Sequence, residues 1–151
     1  MKRFAVIIVI VTGITVVLTS FNKDEKDEPV DKKVSCASCH RAEYAFADTS
    51  AVSIGVGGKK GIRNTQTAMN LRFDTSFFWD GRAKTLEEQA LAPIANPDEM
   101  NLPVYVAVKR LKLNKKYNAY FKKIFNSEPT AEHLAKAIAA FERTLETSDS
   151  P

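Results

Sequence analysis

Every cysteine in the chain lies in one five-residue stretch, Cys36-Ala37-Ser38-Cys39-His40. That stretch limits the fold more than any other feature. A pair at this spacing followed by histidine fits a disulfide or redox pair, a metal site or a covalently attached haem. A structural zinc site needs four ligands, and beyond the motif the chain offers only one further histidine, His133. A thioredoxin-type pair requires a preceding strand and a βαβ setting. Here charged residues precede the motif and a polar loop follows it. A c-type haem uses the whole motif: Cys36 and Cys39 form the thioethers, and His40 is placed to ligate iron. A chain so attached has to enclose a flat cofactor.

The N-terminus agrees with that reading, because haem attachment of this kind takes place outside the cytoplasm. Lys2 and Arg3 precede the uncharged run Phe4 to Leu18, and the charged stretch Asn22 to Lys33 follows. A basic start before an apolar run marks an export signal. The run spans roughly 23 Å as helix, short of a ~30 Å hydrocarbon core, although Thr19 to Phe21 extend it. Residues 1–21 are therefore expected to be a signal peptide or a membrane anchor, residues 22–33 a charged linker, and residues 34–151 a single haem domain in the periplasm. The formal charge of +4 falls to +2 once Lys2 and Arg3 are set aside. That balance gives no ground for a nucleic-acid partner, and contact with a membrane is expected only through the N-terminal segment.

The rest of the chain reads as all-α. Residues 41–64, with four glycines between Ser53 and Asn64, read as a long loop suited to wrapping a cofactor. Thr65 to Phe73 reads as one or two helical turns. Thr85 and Glu88 form a capping box that starts a helix expected to end near Ala92, before Pro93. Pro97 suits the first turn of a further segment carrying Asp98 and Glu99. Val104, Val108 and Leu111 predict a helix over 102–113, and Tyr117, Phe121 and Phe125 continue the pattern. Thr130 caps a last helix whose apolar face is Leu134, Ile138, Phe141 and Leu145.

The blocks "SCASCH", "RNTQTAMN", "FFWDGRAKTLEEQALAPIANPDEM" and "AIAAFERTLETSDSP" resemble the bacterial di-haem cytochrome c peroxidases and their methylamine-utilisation relatives. The resemblance runs from Val34 to Pro151. It implies a cytochrome c-like helical domain with long haem-wrapping loops, the one in which hydrogen peroxide is reduced at a single covalent haem c. It also implies residue roles. Gln89 and Glu99 take the places of the distal-pocket glutamine and glutamate, Glu99 serving as acid/base. Trp79 takes that of the electron-transfer tryptophan between two haems, and Asn64 that of a residue helping to bind calcium. Homodimers are common in the family, so a homodimer is expected on the resemblance alone.

This chain departs from the pattern in three respects, one being that the segment before the haem motif is shortened to a charged tether. The family carries two C-x-x-C-H motifs and this chain carries one, so an electron-donor cytochrome or a separate second haem domain is expected as partner. The loop Ala47 to Ile62 has no histidine, which leaves the sixth iron position open or water-filled. Met69 and Met100 read as packing residues and His133 as a helix-surface residue. The alternatives are a mono-haem electron-transfer cytochrome and a truncated remnant lacking the second haem domain.

Overall fold

The computed structural model describes residues 34–147. The segments expected to be signal or anchor (1–21) and linker (22–33) lie outside them. Among the described residues there are five α-helices: α1 Cys36–Cys39, α2 Leu86–Ala95, α3 Val104–Leu113, α4 Lys115–Phe125 and α5 Ala131–Glu142. No extended strand forms there, only three isolated antiparallel bridges. The domain is all-α, and none of its described helices is long and apolar enough to cross a membrane.

The caps arise where side-chain oxygens can take up orphan amides. Thr85 Oγ1 accepts from Glu88 N at 3.1 Å, while the Glu88 carboxylate takes the amide of Lys84, one residue earlier than a standard capping box, at 2.7 Å. Thr130 accepts from His133 N. Asn114 ends α3 and caps α4, accepting from Lys116 N and Tyr117 N.

Helix α2 runs through Pro93 to Ala95 instead of ending at Ala92. Proline lacks only its own amide, and the chain beyond it stays wound because Asn96 N donates to Ala92 O at 2.9 Å. The following segment then folds back. Met100 N reaches Pro93 O at 3.3 Å and Leu102 N reaches Ile94 O at 2.8 Å, so the last carbonyls of α2 are taken up by residues 100–102. Residues 97–100 are therefore a turn, not the start of a helix. Thr65 to Phe73 contains a single 3-10 turn, Leu71–Phe73.

Helices α2 and α5 form the most extensive helix contact. Leu86, Ala90 and Ile94 make one buried stripe on α2. Leu134, Ala135, Ala137 and Ala139 are buried on α5, whose alanines let α2 approach closely. The main core joins Ile94, Leu102, Val106, Leu111, Tyr117, Phe121 and Leu134, with Cys36 packed against it. Met100 belongs to this core. On α3 the buried residues are Val106, Ala107, Arg110 and Leu111, about one position out of phase with the apolar spacing. The stem of Arg110 contributes to that face, where a purely apolar count skips it. Leu145 lies beyond the end of α5, whose expected stripe stops at Phe141.

Arg143 clasps Glu87 through two bonds of 2.8 and 2.9 Å, bracing the end of α5 against the first turn of α2. Truncating Leu134, fully buried where α5 meets the core, is expected to cost about 2–5 kcal/mol, read as a lowered midpoint in equilibrium urea unfolding of Leu134→Ala.

Candidate functional site

Three closed loops carry the site, each pinned by one antiparallel bridge: Arg41 with Ala47, Ile54 with Lys60, and Phe77 with Ala83. The first follows the cysteine helix. His40 caps α1, its amide bonded to Cys36 O at 2.8 Å. The bridge returns the chain so that Phe46 O meets His40 Nδ1 at 2.8 Å. Ala45 and Phe46 adopt φ of 54° and 56° to bring this carbonyl round, and the Phe46 ring is seated edge-on against Phe141 of α5, 6.3 Å between centroids. A carbonyl acceptor at Nδ1 puts the proton there and leaves Nε2 as a free lone pair, the form in which imidazole ligates a metal.

His40 lines a cavity of about 50 Å³ together with Gln89, Phe77, Phe78, Ala68 and Glu142. A second cavity of about 250 Å³ shares Gln66, Thr67, Leu71 and Asp74 with it and is bounded by Asn64, Met69 and Trp79. The two thiols are free. Burial, and then the charge of Glu142, pushes the Cys36 thiol up to about 11. Burial, with Asp48 and Glu99 nearby, also raises Cys39 against an opposing hydrogen bond from Ser53. Neither thiol has the lowered pKa typical of a redox-active pair. Together with the free Nε2 of His40 on the cavity wall, Cys36 and Cys39 make up a donor set that fits a c-type haem.

The third loop, Phe77 to Ala83, presents Trp79. Gly81 adopts φ +66°, and its amide bonds Phe78 O at 3.0 Å; glycine enters that left-handed region at little cost. Phe77 is buried, while the Arg82 guanidinium lies 3.5 Å from the ring centroid of Phe78 and pairs with Asp80. The indole is left 59% exposed, with Nε1 donating to Asn64 O at 2.8 Å. Trp79 and Asn64 are thus brought together. Asn64 Nδ2 donates to Ser50 O at 2.8 Å, and among the described residues no group of three or more acidic, histidine or cysteine side chains gathers in the manner of a metal site.

Glu99 is not among the residues that line the His40 cavity with Gln89. It lines neither cavity and sits on the Cys39 side, half-buried, with Asn96 Nδ2 donating to its Oε1 at 2.7 Å. His133 is occupied elsewhere, stacked on Phe125 with 4.4 Å between centroids.

A C-x-x-C-H helix whose histidine lines a cleft in an all-α domain is the arrangement of a cytochrome c-like protein. The chain belongs to the di-haem cytochrome c peroxidase family, whose model matches residues 28–151. It is 41% identical over 120 residues to the methylamine utilization protein MauG of Methylorubrum extorquens, covering 78% of this chain and 34% of that protein. It is 42% identical over 118 residues to the cytochrome c551 peroxidase of Nitrosomonas europaea, covering 78% and 35%. The crystal structure of a MauG-like protein associated with microbial copper homeostasis superposes with a TM-score of 0.72 at 33% identity, over 79% of this chain and 37% of that one. The chain therefore spans about a third of the length of these relatives.

Sequence reasoning passed over Glu142, the last residue of α5. Its Oε2 is sealed from solvent and has no hydrogen-bond partner among the described residues. Burial pushes its carboxyl up to about 7, against the pull of Arg143. The only signal in the sequence was an acid next to the end of an apolar helix face. A carboxyl whose folded pKa lies above its unfolded value holds a proton that the unfolded chain releases. Stability is therefore highest below the unfolded value, near 4.5, falls as pH rises toward about 7, and then levels off. Glu142→Gln should remove on the order of 2 kcal/mol of that decline, measured by urea unfolding of both proteins at pH 5 and pH 8.

Proposed function

We propose that this chain carries the peroxide-reducing haem centre of a cytochrome c peroxidase. Cys36 and Cys39 would hold one haem c and His40 would be the proximal ligand. The observation that carries this reading is the His40 ring: Nδ1 is tied to Phe46 O, Nε2 is free, and the ring shares a cavity wall with Gln89. When bound, the haem would supply the iron at which the peroxide O–O bond is reduced, with the electrons coming from the donor.

The protein's own part is to place and move protons. Glu99 would take a proton from one peroxide oxygen and give it to the other, a role a single positioned carboxylate fulfils. Asn96 keeps the Glu99 carboxylate oriented through Oε1. The Gln89 amide, neutral at every pH, orients the substrate without competing for its protons. Each turnover consumes hydrogen peroxide, two electrons and two protons. The exposed Trp79 is the entry point for electrons from a donor cytochrome or a separate second haem domain. By the family pattern Asn64 would help hold a calcium ion beside it, the chain would be exported to the periplasm, with membrane contact only through its N-terminal segment, and it would form a homodimer.

Met69 favours a second reading, a mono-haem electron carrier, because it lines the larger cavity beside Trp79. A ferric spectrum separates the two. The peroxidase reading expects a high-spin haem, and a six-coordinate low-spin spectrum with methionine bound would sink it. In protein matured with covalent haem, Glu99→Gln is expected to lower peroxide turnover with a reduced cytochrome by about 10²–10⁴-fold, while Cys36→Ala with Cys39→Ala abolishes covalent haem retention in a denaturing gel.

A further inference from the structure

The segment bearing Glu99 leaves its helix at Asn96, and the loop from Ile54 to Lys60 holds it from outside. Val56 N donates to Glu99 O at 2.8 Å. Lys59 Nζ donates to Pro97 O at 2.9 Å and to Asp98 Oδ1 at 3.1 Å. Gly55 fits against the peptide between Asp98 and Glu99 so closely that a Cβ would stand 2.0 Å from Asp98 O and 2.9 Å from Glu99 Cα. Its own φ and ψ, −92° and −165°, are extended and open to any residue. Glycine is therefore required here by the contact and not by the backbone conformation.

The loop is rigidly built. Gly55 N bonds Lys59 O at 2.8 Å and Gly61 N bonds Ser53 O at 3.0 Å. Ser53 Oγ ties its base to Asp48 and Thr65, and the Val56 side chain is buried. Glu99 is consequently gripped at both ends, its main-chain carbonyl by Val56 and its carboxylate by Asn96.

We propose that the 54–60 loop is a clamp that sets the position of the Glu99 carboxylate, with Gly55 and Lys59 as positioning residues for proton transfer. The proposal rests on Glu99 being the acid/base. It adds that the geometry of this acid is imposed from a loop about forty residues earlier in the chain. A shift of about 1 Å at a catalytic group costs about 10²-fold in rate, and an added Cβ at Gly55 demands a displacement of that size.

The test is a pair of double-mutant cycles in the haem-loaded chain. Gly55→Ala is expected to lower kcat/KM for peroxide by about 10–10²-fold, and Lys59→Met, at an exposed side chain that leaves folding intact, to lower it less. Neither loss should persist in the Glu99→Gln background, because the clamp acts only through that carboxylate. Hydrogen exchange gives an independent readout: the Val56 amide should exchange faster in Gly55→Ala than in the parent. Equal losses in the parent and Glu99→Gln backgrounds, undiminished turnover in both loop variants, or unchanged Val56 exchange would each overturn the clamp. Full turnover in Glu99→Gln would instead overturn the acid/base assignment on which it rests.

Discussion

The contact between α2 and α5 is the interaction on which the rest of the domain depends. Leu86, Ala90 and Ile94 face the alanine-rich side of α5, and Arg143 locks the open end of the pair to Glu87. Small side chains on one helix and larger ones on the other let the two axes come close without voids. The pairing carries Gln89 and Glu142 to the same cavity. It also offers Phe141 as the surface on which Phe46 rests, so the acceptor of His40 is positioned by the helix pair as well as by its own loop.

Around that pair, function is delivered by irregular backbone. Bridges at Arg41 and Ala47, Ile54 and Lys60, and Phe77 and Ala83 close three loops. These loops respectively aim His40, restrain Glu99 and expose Trp79. A further strap joins distant parts of the chain: Asn70 N bonds Leu145 O at 2.7 Å, Asn70 Oδ1 accepts from Thr147 N at 3.0 Å, and Arg72 pairs with Glu146. The blocks "RNTQTAMN" and "FERTLET" are thus two sides of one contact. Loops closed in this way keep functional side chains at defined positions while the core supplies the stability.

Much of this was legible along the chain. The C-x-x-C-H motif, the caps at Thr85 and Thr130, and the apolar spacing of α4 depend on residues within a few positions of one another, and local rules describe them well. Pro93 misled because proline disfavours a helix interior only where its missing amide or its ring is decisive; near the end of α2 the backfolding of residues 100–102 supplied the bonds that keep the turn. The segment from Pro97 to Glu99 reads as a helix start for the same local reason. The local sequence Asn-Pro-Asp-Glu is compatible with a first turn, and the bonds from Val56 and Lys59 that make it a held turn come from a loop distant in sequence, within residues 41–64.

The sequence by itself determined the class of chemistry, since thiol and imidazole donors at a fixed spacing can serve only a few cofactors, and it determined an all-α chain through helical period and capping. Only the tertiary structure decided which groups meet. It put Gln89 with His40 and Trp79 with Asn64, placed Glu99 on the Cys39 side, and sealed the Glu142 carboxyl in the cavity wall. The physical reason is range. Propensity and capping act over one or two turns, whereas burial, loop closure and the shift of a carboxyl toward neutral pH depend on surfaces that come together only when the chain is packed.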